Sequence, residues 1–429
     1  MSKIIIVGGG LAGGLAAIYL ARRGHEVQVL EKRGDPQKDI SSYIDKVSSR
    51  SIGVSMTARG IKAVLGAGIP KKELDLCGER IAGFSFFVAG KFKTRTLVPI
   101  DNLSVLSLDR FAFQKLLNKY ACINGVKYHY GHKCIDVNLE QKSIITQDQD
   151  GNLHHLCGDL IIGADGARSR VRQAMQNAIP RFEFHQSFFR HGYKTLVIPD
   201  GARLNFRKDL LYFFGMDSKG SFACRAATIP DGSISFSICL PYDGATSLQM
   251  QDREQLSKFF SCCFPQISMD IRNEMIKQFI EKPSHDLINV RSSTFHYKQN
   301  ALLLGDSAHA TAPFLGQGMN MALEDAQIFS EFLEKNHDDF KKTLPEFTQL
   351  RKVEADAMQD MARANYEILS CSNLIFFMRI KYIRFMHKKF PKIYPVDIVE
   401  KLNFTSMPYS ELRDFQKKQN VWYKFGRLN

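Results

Sequence analysis

The sequence has no C-x-x-C pair, no internal repeat, no low-complexity tract, no apolar run of membrane-spanning length and only one tryptophan, Trp422. Nine cysteines are present, but only Cys262 and Cys263 lie close together. Without clustered spacing, neither a disulfide framework nor a metal site is expected, and the thiols suit a reducing cytoplasm. A spanning helix needs roughly 18 or more consecutive apolar residues, and no stretch supplies them. The N-terminus reads as a strand rather than a signal peptide, so the chain is expected to be cytoplasmic. Acidic residues are outnumbered, 44 against 58 basic, for a formal charge of +14. Nucleic acid is not an expected partner, because no helix-turn-helix, zinc-finger or aromatic RNA-binding signature accompanies that charge. Anionic small molecules and acidic lipid suit it better. At 429 residues and 44% apolar content, the chain can bury a large core.

What is present starts with a β-branched run, Lys3–Val7, followed at once by Gly8-Gly9-Gly10-Leu11-Ala12-Gly13. Gly8, Gly10 and Gly13 match G-x-G-x-x-G. A helix is expected from Leu11 to Arg23, then a strand over Val27–Leu30 leading to Glu31, eighteen residues beyond Gly13. Glycines there permit a tight turn, close approach to a pyrophosphate and helix–strand packing, while the acid can hold a ribose hydroxyl. Strand before, helix after and the acid beyond make this a dinucleotide site. Lys32 and Arg33 follow, either at the adenosine end or as solvated loop charges. The polar stretch Ser48–Gly60 either runs along an extended cofactor, with Arg50 facing its ring or the substrate, or is a surface loop.

Two more segments carry the same strand–turn–helix grammar. In Asp159–Arg172, Asp165-Gly166 marks the switch, with Arg168, Arg170 and Arg172 in the following turn; it suits a phosphorylated cofactor, or is a capped helix with a basic face. In Ala301–Ala326, a short strand ends at Asp306, and Pro313 and Gly316-Gln317-Gly318-Met319-Asn320 open a helix. The acid can accept hydrogen bonds from a sugar-like chain, the glycines let the backbone approach a flat ring, and the helix start favours negative charge on it. Between the first two segments, Val105–Leu117 passes from strand to helix with Asp109 as cap. Arg110 in the first turn is unfavourable for the helix dipole, which marks it as an anion-binding candidate.

The expected fold is α/β: a Rossmann-like cofactor-binding domain over 1–180, with some substrate-domain strands near 81–106. A mostly antiparallel β domain is inserted over 181–290, the cofactor domain resumes over 291–335, and a helical region fills 336–429. Short alternating segments at Tyr193–Ile198, Leu211–Gly215, Phe222–Ile229 and Ser233–Leu240 would floor a substrate pocket. Phe376–Tyr394 interleaves aromatics with Arg and Lys, and suits either a peripheral membrane surface or a helix packed on its own domain with a solvated basic face.

GGGLAG, DGARS and GDSAHATAPFLGQGMN in this order resemble the single-component FAD-dependent aromatic hydroxylases (class A flavoprotein monooxygenases). Arg50 in RSI, LSLDR ending at Arg110, HGY at His191, SSTFHYK at Ser292 and the helix with Asn365-Tyr366 are most similar to the kynurenine 3-monooxygenases. The resemblance implies FAD contacts from Ala12, Glu31, Arg33, Arg110, Asp306, Met319 and Asn320, with Pro313 and Gly318 shaping the flavin face. It implies Asn365 and Tyr394 at the amino-acid end of the substrate. An Arg and a Tyr that hold the substrate carboxylate in that group are not found at their places, and Arg80 is the substitute candidate.

The implied activity is NAD(P)H-consuming hydroxylation of an aromatic substrate, kynurenine or a related amino acid, through a flavin C4a-hydroperoxide. The cofactor carries that chemistry, so no catalytic side chain is nominated. With one dinucleotide fingerprint only, NADPH would bind transiently. The alternatives are a flavin reductase or dehydrogenase on this scaffold, and a flavin-binding protein docking a membrane or partner through the basic stretch.

Overall fold

The computed structural model describes residues 1–38, 53–88, 90–97, 105–215, 222–369, 385–386, 389–390 and 398–424. Arg50, Tyr394 and most of the basic stretch 376–394 lie outside the described residues.

Six strands form one sheet in the spatial order His296–Tyr297, Ala301–Leu303, Leu160–Gly163, Lys3–Val7, Glu26–Glu31, Lys127–Tyr130. Five run parallel, and His296–Tyr297 closes one edge antiparallel. The central strands are apolar on both faces, as a parallel sheet covered by helices requires; Ile4, Ile5, Ile6, Leu160, Ile161 and Ile162 are all fully buried. Val7 pairs with Gly163, and Gly163 with Leu303. The three turns named from sequence therefore leave neighbouring strands at one carboxyl edge, where open α/β sheets bind ligands.

A second sheet has seven strands in the order His285–Ser292, Phe184–Ile198, Ile234–Pro241, Ala223–Thr228, Leu210–Phe214, Gly83–Val88, Lys91–Thr96. Every pairing is antiparallel except Leu210–Phe214 with Gly83–Val88. Two helices absent from the sequence reading, Arg253–Cys263 and Met269–Glu281, cover one face. Leu256, Phe260, Met275 and Phe279 meet Leu196, Phe214, Phe236 and Ile238 there. Their i, i+4 spacing is a helical signal, but turn residues on either side interrupt it. A small sheet of Gly53–Met56, Val105–Asp109 and Gly78–Ile81 lies against the opposite face, with a Cβ on Gly53 reaching 4.0 Å from Ser235 Cβ.

Helices Gly318–Lys335, Phe340–Leu369, Ile398–Phe404 and Tyr409–Lys424 complete the described chain. Among the described residues no helix is long and apolar enough to cross a membrane.

Candidate active site

The glycine turn after the first strand is held by contacts that only glycine allows. A Cβ on Gly8 would lie 2.4 Å from the Ala164 carbonyl, and one on Gly13 only 2.0 Å from the Gly8 carbonyl. Gly10 is different: nothing stands within 4 Å of its Cβ position, and no side chain caps the Leu11–Arg22 helix there. The result is an open volume in front of unpaired N–H groups, the arrangement that binds anions at helix starts. Leu11 is buried in the core and Lys32 is exposed. Buried Glu31 accepts from Gly9 N at 3.0 Å and from Arg33 N and Nε at 2.9 Å. Burial alone would raise its carboxyl, but Arg33 outweighs burial and holds it below the usual carboxylate range.

Gln114 is a residue that sequence reasoning missed. Its Nε2 donates to Gly9 O at 2.9 Å and to Asn118 Oδ1 at 2.8 Å, bracing the turn from the Arg110–Ile123 helix. The signal was available as an i, i+4 polar pair on a face carrying Leu117 and Phe113. Asp109 caps that helix, accepting from Phe111 N at 2.7 Å, and half-buried Arg110 opens it.

Asp165 stands beside this turn, its Cα 2.9 Å from a Cβ position on Gly8. Oδ2 accepts from Arg170 N at 2.6 Å, while Oδ1 is buried with no partner among the described residues. Burial lifts this carboxyl above the usual range against the hydrogen bonds from Ser169 and Arg170. The expected basic cluster is corrected at Arg172, which faces the interior. Its guanidinium donates to Ser307 O at 2.7 Å and Ala167 O at 2.6 Å, tying two of the turns together. Arg168 and Arg170 are exposed.

The third turn begins at Gly305, φ +61°, whose Cβ position lies 3.1 Å from Ala12 Cβ. Exposed Asp306 follows and opens the short helix Asp306–His309. Behind it, fully buried Asp325 accepts from Gly305 N at 3.0 Å, His309 Nε2 at 2.6 Å and Arg351 Nε at 2.7 Å. Burial would raise Asp325, yet His309 and Arg351 hold it far below the usual carboxylate range. Arg351 and Arg59 share Glu324, at 3.1 and 2.9 Å.

Exposed Pro313 starts a single turn, Pro313–Leu315, which ends at Gly316 in the left-handed region, φ +67°. The Gly318–Lys335 helix then begins with no side-chain cap. Asn320 is fully buried, and its side chain is committed to Thr57 N at 2.8 Å and to Ser55 O and Gly316 O at 3.0 Å. Its side chain thus shapes the helix start; only its main chain, with that of partly buried Met319, is left to face a ring.

The Pro313–Leu315 turn before this helix start carries Phe314 into an aromatic box. Tyr366 packs against Phe189 and Phe314, with centroids 4.8 Å away in each case, and shares a 2.9 Å hydrogen bond with His191 Nδ1. Asn365 Nδ2 donates to Phe314 O at 2.8 Å. Phe189 lies outside every motif, and Phe314, though inside GDSAHATAPFLGQGMN, was given no role of its own in the sequence reading. Arg80 is not brought into this group: it is exposed and bound to Asp75 at 2.6 Å.

A family described as "FAD binding domain" matches residues 1–335. The chain belongs to this family. It is 64% identical over 429 residues to violacein synthase of Chromobacterium violaceum, covering 100% of both chains. It is 30% identical over 430 residues to kynurenine 3-monooxygenase of Dictyostelium discoideum, covering 95% of this chain and 89% of that one. In fold it is similar to 2-methyl-3-hydroxypyridine-5-carboxylic acid oxygenase, with a TM-score of 0.66, 19% identity, and coverage of 87% and 93%. This member of the FAD-binding family is a FAD-dependent aromatic monooxygenase.

The residues present fit FAD on three observations. The volume in front of Gly10 is open, the buried Asp165 Oδ1 lacks a partner, and Gly316 has nothing within 4 Å of its Cβ position beside an uncapped helix start.

Proposed function

We propose that this FAD-dependent monooxygenase oxygenates an aromatic precursor in violacein formation, with NADPH as transient reductant. The observation that carries this reading is the 64% identity to violacein synthase along the whole of both chains, against 30% to a kynurenine 3-monooxygenase. Arg80, the one candidate to replace that group's missing carboxylate-binding arginine, is engaged by Asp75 at 2.6 Å, which also argues against kynurenine.

In this reading Gly8, Gly10 and the main chain of Leu11, Ala12 and Gly13 receive the pyrophosphate, and Glu31 holds a ribose hydroxyl. Lys32, Arg33 and Arg110 flank the adenosine and phosphate region, and Asp165 and Asp306 accept hydrogen bonds from the phosphate-linked sugar chain. Pro313, Gly318, Met319 and Asn320 meet the flat ring. Bound FAD supplies activation of O2 and transfer of one oxygen atom. The chain's own work is placement: the Gly318–Lys335 helix start favours negative charge on the ring. The box of Phe189, Phe314 and Tyr366 excludes water from the reacting face, and Asn365 fixes Phe314 from behind.

The test replaces violacein synthase with this protein in Chromobacterium violaceum cells that lack that enzyme, and assays the purified holoenzyme with L-kynurenine and NADPH. Violacein detected by mass, with no 3-hydroxykynurenine formed, is the expected pair of results. Turnover of kynurenine without violacein would move the assignment to the second reading, kynurenine hydroxylation, which the 30% relatives support.

A further inference from the structure

One face of the seven-stranded sheet carries a row whose chemistry is split in two. Strand register places Phe86, Phe213, Arg225, Ser237 and Thr195 directly opposite one another across five strands. Their chain neighbours Phe214, Cys224, Phe236, Ile238 and Leu196 belong to the helix-covered core, so this row looks the other way. It looks toward the ring-binding end. Arg225 donates to Gly53 O and Ser55 Oγ, both at 3.0 Å, and Ser55 O in turn accepts from Asn320 Nδ2 at 3.0 Å.

Among the described residues Arg225 has no counter-ion. Its two hydrogen bonds go to a carbonyl and a hydroxyl, and no carboxylate among the described residues pairs with it. Burial pushes this guanidinium down to about 10. Arg225 is half-buried, and a partly desolvated cation left without a carboxylate is unfavourable unless a ligand brings the opposite charge. A second, independent observation stands in the same row: Thr195 is 1% exposed, and its Oγ1 has no hydrogen-bond partner among the described residues. On the other side of Arg225, Phe213 and Phe86 stack with centroids 5.2 Å apart. The row thus offers an aromatic half and a polar, cationic half.

We propose that Arg225, with Ser237 and Thr195, is an anion-binding subsite of the substrate cavity, so that the substrate is an aromatic molecule carrying a carboxylate or similar anionic group. This rests on the proposed function, with the substrate lying between this sheet face and the ring-binding end. Phe213 and Phe86 contact the substrate's flat part, and the anionic arm lies along the row toward Thr195. Adjacent strands are about 4.8 Å apart, so the polar half spans about 10 Å.

The experiment titrates the FAD-loaded protein with anthranilate, indole-2-carboxylate and indole-3-acetate, each beside its neutral amide, and reads the flavin absorbance. Acids are expected to perturb the spectrum and bind at least tenfold more tightly than their amides. Arg225→Met is expected to abolish that preference with FAD content unchanged, and Arg225→Lys to restore part of it. Should Arg225→Met fail to fold, Thr195→Val and Ser237→Ala decide, each expected to weaken the acids several-fold more than the amides. Equal binding of acids and amides, no binding of any acid, or variants that keep the full acid preference would overturn the proposal. Failure of the functional reading has another signature: no violacein in the replacement cells, whatever the acid preference.

Discussion

Asp325 sits fully buried at the back of the Gly305 turn, with a histidine and an arginine on its two oxygens. Its carboxyl is held below its unfolded-state pKa, against the effect of burial. The stability it contributes is therefore complete above about pH 4 and is lost as pH falls through the folded value. Asp325→Asn leaves Arg351 with Glu324 as its only carboxylate, shared with Arg59, and removes the acceptor of His309; urea unfolding at pH 7 should show a loss of about 3 kcal/mol. The difference from the parent protein should shrink in acid; equal stability at pH 7 would mean the cluster is idle. At the glycine turn two substitutions separate folding from binding. Gly13→Ala drives a methyl to 2.0 Å from Gly8 O and should lower the melting temperature sharply. Gly10→Ala meets nothing within 4 Å, so the protein without cofactor should melt as before while FAD affinity falls at least tenfold, read by flavin fluorescence. His191 adds a pH signature. Burial, then Arg190, lowers its pKa, so the unfolded state takes up the proton first. Stability contributed by the neutral imidazole is whole above about pH 6.5 and declines as pH falls toward the folded value. His191→Asn should flatten the fall of melting temperature between pH 7 and 5.5 relative to the parent.

At the scale of elements, the Phe340–Leu369 helix connects the buried ion cluster to the aromatic box. Arg351 grips Asp325 in its first half; Gln359 Nε2 donates to Val290 O at 2.6 Å and Ala310 O at 3.1 Å; Asn365 reaches Phe314. Asn365→Ala should loosen the Pro313–Leu315 turn without removing cofactor. The share of NADPH oxidation that ends as hydrogen peroxide is expected to rise several-fold at constant FAD content, and an unchanged share would remove Asn365 from the substrate side. How legible these elements were in the sequence follows from the period of their signal. The three glycine-bearing turns were readable because backbone shape there demands particular residues, and the strands before them are unbroken apolar runs. Helices Arg253–Cys263 and Met269–Glu281 were not, since each shows its apolar face only a few times between turn residues. Arg172 misled for a different reason: charge in a first helical turn suggests an exposed basic face, and nothing local reveals that two carbonyls await it inside. Phe189, Phe314 and Thr195 acquire meaning only from partners about fifty or more residues away or across a sheet. No local pattern encodes that.

At the scale of the whole molecule, one sheet presents three turns along a single edge, and the face of another sheet supplies a half-aromatic, half-polar floor. The Gly53–Met56 strand joins them, bonded to Asn320 on one side and Arg225 on the other. The +14 charge suits attraction of anionic cofactor and reductant, which is a matter of encounter rather than of fold. The central claim is that segments remote in sequence close on one FAD molecule. Hydrogen–deuterium exchange with peptide-level mass spectrometry, with and without added FAD, tests it most directly. Peptides spanning residues 8–14, 163–170 and 304–320 should gain protection together on saturation with FAD, while those over 253–281 stay unchanged. Protection confined to the first of these segments, or none, would contradict the account.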